Sequence, residues 1–233
     1  MLPRWLSWLL PSVCPGCARD IRGDGPVCAM CWASFRPAEP TPAPEGIRRY
    51  HALAAFESPL RELVLSFKYR GKGYLGAALA DFMSRGASPW VGEAEILLPI
   101  PAPAGRRILR GYHPAEVLAC DLGKRLKIPV AARALRRRHG FPSQTSLDRR
   151  RRAENAARSF AAGWGISKTA GRRVLIVDDV CTTGATLSAC AALLLEAGAV
   201  SVDAVVLAQE ALSPPRHGPK SAGPAPILDE AVG

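Results

Sequence analysis

The chain has 233 residues, 48% hydrophobic and 22% charged, with a formal net charge of +11. That length suits one medium α/β domain with a small appendage, and the composition excludes wholesale disorder, a collagenous repeat and a coiled coil. Seven cysteines are too few for a disulfide scaffold, and the longest apolar stretch, residues 189–208, is interrupted by Glu196 and Asp203, so no membrane-spanning segment is expected.

The opening MLPRWLSWLLPSV imitates a secretory leader, but it carries a single Arg and prolines at positions 3 and 11. It reads as a short amphipathic segment that packs on the protein through Trp5, Leu6, Leu9 and Leu10, with the chain retained in the cytoplasm. Cys14-Pro-Gly-Cys17 and Cys28-Ala-Met-Cys31 follow, two CxxC pairs with ten residues between them. Two turns that each present a pair of thiolates supply the four soft ligands of a tetrahedral Zn²⁺, and Gly16 lets the first turn tighten so that amide N–H groups face the sulfurs. So short a segment has little core of its own, and a structural metal would hold it folded. The alternatives are two disulfides, an iron–sulfur centre or a redox CxxC. Disulfides fit badly beside the further cysteines 120, 181 and 190.

Residues 36–46, RPAEPTPAPEG, hold four prolines and no helix or strand period, so they read as a semi-rigid extended linker. The expected division is a four-cysteine domain at 1–36, a linker at 37–47, an α/β domain at 48–210 and a disordered tail at 211–233. Within the α/β domain Ser58 is placed to cap a helix with Pro59 at its first position, and Leu60, Leu63, Val64 and Phe67 form the apolar stripe. That helix is expected to stop before Lys68-Tyr69-Arg70-Gly71. A strand is predicted at 95–100. A helix from Pro114 carries Ala115, Leu118, Ala119, Leu122 and Leu126 on one face.

Most of the positive charge is local. Between Arg133 and Arg158 there are nine arginines against Asp148 and Glu154. Arg in place of Lys throughout favours bidentate contact with phosphate oxygens, so polyphosphate and nucleic acid are both candidate partners. The aromatic interleaving is slight, Phe141 and Phe160 alone, so no base-stacking surface is evident in this segment.

The most informative stretch runs from Arg173 to Thr186. An apolar strand, Arg173 to Asp178, delivers Asp178 and Asp179 to its carboxyl edge, where open α/β sheets bind ligands. The chain then turns through Val180, Cys181, Thr182, Thr183, Gly184, Ala185 and Thr186 into a helix at 186–197, with a further strand at 200–207, a βαβ unit. Backbone N–H groups and hydroxyls of such a turn converge with the positive end of the helix dipole and make a cradle for a monophosphate, which Gly184 lets approach closely. The adjacent carboxylates suit the hydroxyls of a cis-diol. A phosphate and a diol so disposed describe ribose 5-phosphate.

This stretch resembles the signature of the type I phosphoribosyltransferases, which bind 5-phosphoribosyl 1-pyrophosphate (PRPP) with an acidic pair and a Thr/Gly loop. Joined to the cysteine pairs, it resembles the ComF/GntX family of competence-type, phosphoribosyltransferase-like proteins. The features that carry this are Cys14 to Trp32, Lys68-Tyr69, Pro99-Ile-Pro101, Arg110-Gly111, Gln144…Leu147…Arg152…Asn155 and Val174 to Thr186. Where the family commonly reads RGFNQ, this chain reads Arg110-Gly-Tyr-His-Pro114, and His113 is read as an ordinary loop residue. The resemblance implies a type I phosphoribosyltransferase fold with a parallel central sheet, structural zinc, and Mg²⁺ arriving with PRPP. It implies that Ala102, Arg106, Arg107 and Arg110 lie near the pyrophosphate, with Gln144, Arg152 and Asn155 on a lid. Purine-salvage relatives place an acidic residue where this chain has Thr182, which disfavours a hypoxanthine-type acceptor. The readings compatible with the family are a phosphoribosyltransferase whose acceptor the sequence does not name, a single-stranded DNA-binding competence factor with a partner in the DNA-uptake machinery, and a PRPP-sensing module.

Overall fold

A computed structural model describes residues 13–21, 25–102, 111–138 and 158–211. Its centre is a four-stranded, all-parallel sheet of β1 (Tyr50–Ala55), β2 (Ile96–Pro99), β5 (Arg173–Cys181) and β6 (Ser201–Gln209), in the spatial order β1-β6-β5-β2. A separate antiparallel pair joins β3 (Leu135–Arg137) to β4 (Phe160–Ala162). The helices are α1 (Ala29–Ala33), α2 (Leu60–Tyr69), α3 (Leu75–Gly86), α4 (Pro114–Leu126) and α5 (Ala185–Glu196).

Parallel strands covered on both faces are apolar nearly throughout, and their side chains alternate between two cores. On β5, Leu175 and Val177 join Leu60, Leu63, Phe67, Leu79, Leu118 and Leu122 beneath α2, α3 and α4. Val174 and Ile176 face the other way, into a cluster with Leu98, Phe160, Leu187, Cys190 and Leu194 beneath α5 and the β3–β4 pair. The strand expected at 173–178 therefore runs on to Cys181, because pairing with β6 extends to Cys181↔Gln209.

The helix expected to open on a Ser58 cap starts at Leu60, with Pro59 as its N-cap and no side-chain capping bond. Its four apolar stripe residues are all buried, as the period requires, but it continues through Lys68 and Tyr69. Helix α4 begins at Pro114 as expected, and His113 is its N-cap: the ring Nδ1 accepts from the Glu116 N–H at 3.0 Å. The other ring nitrogen lies 2.6 Å from the Ala102 amide. The residue read as an ordinary loop position thus ties α4 to the end of β2.

Asp203 is buried within β6, where Arg48 and Arg49 neutralise it; Arg48 Nη2 is 2.6 Å and Arg49 Nη2 2.8 Å from Oδ2. This clamp fixes the chain just before β1 and so places the Pro-rich segment that precedes it. The cysteine segment does not stand apart: Cys14, Val27 and Cys31 share a core with Leu60 and Leu63. Trp32, Phe35 and Phe82 pack as a ring cluster with centroids 5.3–5.7 Å apart, tying α1 to α3. Among the described residues no helix is long and apolar enough to cross a membrane.

Candidate functional site

Asp178 and Asp179 follow the continuously buried run Val174–Val177 of β5, near the carboxyl edge of the sheet. Alternation along the strand sends them to opposite sides. Asp179 faces α2, where Lys68 Nζ lies 2.7 Å from Oδ1. Asp178 is on the α5 side, where its charge acts on Tyr50, Cys181 and Cys190. Each carboxylate also accepts from the amide that follows it: the Asp179 N–H reaches Asp178 Oδ1 at 2.9 Å and the Val180 N–H reaches Asp179 Oδ1 at 2.7 Å.

Burial, reinforced by the neighbouring Asp179 charge, pushes the Asp178 carboxyl well above the usual carboxylate range, with Lys68 opposing the rise. Burial by itself would lower the Lys68 ammonium, but the facing Asp179 and Asp178 charges outweigh it and hold the pKa above its ordinary value.

After Cys181 the chain turns through Thr182 and Thr183 to Gly184, which takes φ +77° and forms the N-cap of α5. The helix starts at Ala185, one residue before the expected Thr186. A glycine is needed here twice over. The left-handed φ disfavours any L side chain, and a Cβ would stand 2.7 Å from Pro44 Cγ. The N-cap offers no side-chain acceptor to the first helical amides; Thr183 Oγ1 lies 3.5 Å from the Ala185 N–H, at the limit of a hydrogen bond. Those donors and the dipole behind them form a ready anion site.

The turn opens on a cavity of about 810 Å³ walled on one side by Thr182, Thr183, Gly184, Ala185 and Ser188, and on the other by residues 41–46. The segment read as a spacer between two domains is therefore a strap laid over the Thr182–Ala185 turn. Neither aspartate lines this cavity; both lie on the strand that feeds the turn.

Two site residues carried no signal in the sequence. Gln209, buried at the end of β6, donates from Nε2 to the Thr182 carbonyl at 3.1 Å and to the Glu210 carbonyl at 3.0 Å. Tyr50, at the start of β1, donates its hydroxyl to Gln209 Oε1. Together they hold the backbone of the turn from below. Lys68 was noted as part of a Lys-Tyr pair, but its partner becomes visible once α2 is packed. Of the residues expected near pyrophosphate, Ala102 follows the end of β2 with its amide against His113. Arg106, Arg107, Arg110, Gln144, Arg152 and Asn155, like the N-terminal Trp5, Leu6, Leu9 and Leu10, lie outside the described residues.

The four cysteines Cys14, Cys17, Cys28 and Cys31 converge, with all Sγ atoms within 4.8 Å of one another. Sγ–Sγ separations of 3.7 Å between Cys14 and Cys31 and between Cys17 and Cys28 are too long for disulfides and suit four ligands around one ion. Burial raises the Cys14 thiol, but the amides of Cys28, Gly16 and Cys17 outweigh it and bring its pKa down to about 6. Burial and the neighbouring sulfurs push Cys31 upward. Amides aimed at a sulfur are the arrangement expected from Gly16, whose absent Cβ leaves room for Cys31 Sγ. The cluster is consistent with a zinc knuckle.

A family profile described as "Phosphoribosyl transferase domain" matches residues 110–222. The chain is 25% identical over 213 residues to Competence protein F of Haemophilus influenzae, covering 85% of this chain and 90% of that protein. It is 26% identical over 204 residues to DNA utilization protein YhgH of Escherichia coli strain K12, covering 82% and 87%. Among solved structures, the glutamine PRPP amidotransferase of B. subtilis in complex with ADP and GMP is 20% identical, covering 58% of this chain and 26% of that one at a TM-score of 0.38. With the cysteine cluster, the profile match and these relatives support a ComF-family, phosphoribosyltransferase-like protein, and the chain has the type I phosphoribosyltransferase fold with its parallel sheet.

Proposed function

We propose that the chain binds PRPP, or another phosphorylated ribose, with Mg²⁺ at the carboxyl edge of β5. The observation that carries this reading is the direct continuity of the acidic strand end with a Gly184-capped helix N-terminus, whose turn lines the cavity. The amides and hydroxyls from Thr182 to Thr186 hold the 5-phosphate, and Asp178 and Asp179 accept from the ribose hydroxyls. Gln209 and Tyr50 keep the turn's backbone in place, and Lys68 balances the charge of Asp179. When bound, Mg²⁺ neutralises the diphosphate. Ala102 borders the pyrophosphate in this reading, and Arg106, Arg107, Arg110, Gln144, Arg152 and Asn155 complete the pyrophosphate side and lid.

The same reading divides the chain into a zinc-holding segment at 1–36, a strap at 37–47, a phosphoribosyltransferase-like domain at 48–210 and a tail at 211–233, working in the cytoplasm. Seven free cysteines support a reducing compartment and a structural zinc. The names Competence protein F and DNA utilization protein YhgH support an association with DNA uptake.

Calorimetry with Mg·PRPP on the wild type and on the Asp178→Asn, Asp179→Asn double variant tests the site. Binding by the wild type and its loss in the variant are expected. Equal affinity in the two proteins would refute the assignment. Release of pyrophosphate in the presence of candidate acceptors then separates a transferase from a sensor.

A further inference from the structure

Two backbone amides aim at one imidazole beyond the end of β2. His113 is 9% exposed, and its ring stands between two elements. Nδ1 lies 3.0 Å from the Glu116 amide nitrogen in the first turn of α4, and Nε2 lies 2.6 Å from the Ala102 amide nitrogen just past β2. A neutral imidazole carries one acceptor nitrogen and one N–H, and an imidazolium carries no acceptor at all. The ring therefore accepts from one of these amides, never from both together.

The helix decides which. As the N-cap of α4, Nδ1 takes one of the amides that a helix start leaves without an intrahelical acceptor. A proton on Nδ1 would forfeit that bond and face the positive end of the helix dipole. The cap thus keeps the lone pair on Nδ1 and puts the ring proton on Nε2. Nε2–H and the Ala102 N–H then confront each other, and an acceptor entering beside them serves both. Both residues line a concavity of about 560 Å³ whose wall also carries Arg133, Arg136 and Arg137, with Glu116 as the carboxylate in the lining. Three guanidiniums against one carboxylate favour an anion as that acceptor. An oxygen held by both donors at ordinary lengths spreads the two nitrogens to roughly 4–5 Å, so the residue past β2 shifts with the ligand.

We propose that His113 is a binding residue for the diphosphate of PRPP, donating Nε2–H to one of its oxygens beside the Ala102 amide. This rests on the reading of the β5 edge as a PRPP site and adds a neutral side-chain donor to its pyrophosphate side. A residue that reads as an ordinary loop position in the sequence thereby serves twice: one ring nitrogen caps α4 and the other meets the ligand.

The test uses the full chain and calorimetry with Mg·pyrophosphate and ribose 5-phosphate as separate probes. His113→Asn keeps the cap, since the side-chain carbonyl of Asn takes that role, but it has no donor where Nε2 stood. Its affinity for Mg·pyrophosphate is expected to fall at least about tenfold, the loss of one hydrogen bond to a charged group, while ribose 5-phosphate binds as it does to the wild type. Nuclear magnetic resonance of wild-type protein labelled with nitrogen-15 in its histidines supplies a readout that a merely structural role would not move. The His113 ring, identified by its absence from the Asn variant, should carry its proton on Nε2, and Mg·pyrophosphate but not ribose 5-phosphate should shift that resonance. Equal Mg·pyrophosphate affinity in the two proteins, a proton on Nδ1 in the liganded ring, or an equal loss of both probes in the variant would each overturn the proposal. Wild-type protein that binds ribose 5-phosphate but not Mg·pyrophosphate would overturn it too, and would leave the Thr182–Thr186 assignment standing. Mg·pyrophosphate bound with the expected His113 dependence, but no binding of ribose 5-phosphate, would support the role of His113 and sink that assignment instead.

Discussion

Replacing Asp178 by Asn should stabilise the empty protein while removing ligand binding. The native carboxyl is pushed from 3.8 up to about 8, chiefly by burial and then by Asp179. An acid whose folded pKa is raised keeps its proton to a higher pH than the unfolded chain does. Native stability therefore falls as pH rises between the unfolded and folded values, and the penalty is absent below the unfolded value, where both states are protonated. Asn has nearly the same shape, can still accept from the Asp179 N–H, and does not titrate. The variant's advantage should grow from near zero at about pH 4 by at most about 1.4 kcal/mol per pH unit, then level off near pH 8. The whole displacement would correspond to about 6 kcal/mol, an upper bound. Asp178 keeps part of its surface open to solvent, which weakens the penalty, so about 2–3 kcal/mol at pH 8 is expected. Urea denaturation of both proteins at pH 5 and pH 8, with linear extrapolation, reads this directly. A variant less stable than wild type at pH 8, or a gain that does not change with pH, would refute the reasoning.

Gly184→Ala should cost about 2 kcal/mol in urea denaturation, because it adds a Cβ at φ +77° and drives it against Pro44. It should also weaken Mg·PRPP by at least about tenfold, through a displaced turn; unchanged affinity would separate the strap from the ligand site. Metal analysis of the purified protein should find one zinc per chain, and its removal by a chelator should lower Tm by about 10 °C, since Cys14 and Cys31 sit in the core shared with α2. Metal-free protein with an unchanged Tm would remove zinc from the fold.

What could be read from the sequence was local. Strand β5 declares itself by an unbroken apolar run, α4 by a Pro start and a 3.6 period, and the cysteine pairs by spacing that the observed sulfur cluster matches. The turn at Thr182–Thr186 is equally local, since Gly184 and its neighbours are consecutive. The contacts that hold this turn were not legible, because they come from far along the chain. Gln209 closes an otherwise apolar strand, Tyr50 opens another, and nothing short of the β1-β6-β5 order brings them to Thr182. Residues 37–47 have the composition of a spacer, and composition does not say that a proline will rest on a glycine more than 100 residues away. Ser58 looked like a cap because Ser before Pro usually starts a helix; here no side chain takes that role.

The distant contacts also resolve an electrostatic problem that the motif creates. Two ionised carboxylates beside the proposed phosphate cradle would repel a phosphate, at about 3 kcal/mol for each like-charge pair some ~5 Å apart in a medium of effective dielectric ~20. Lys68 removes one of these charges by pairing with Asp179 at 2.7 Å. Burial weakens the other by raising the affinity of the Asp178 carboxyl for a proton. Under the proposed function, the carboxyl edge of β5 then offers hydrogen-bonding oxygens to a diol with less negative charge to oppose the anion next to it. On this account Lys68 belongs to the site as much as the aspartates do, although it lies on a different element more than 100 residues earlier. Its conversion to Met would unbalance the edge, whereas conversion to Arg keeps the charge. The Met variant should lose Mg·PRPP affinity and the Arg variant should recover part of it; equal losses in both would show that the shape of the lysine, not its charge, is what the site uses.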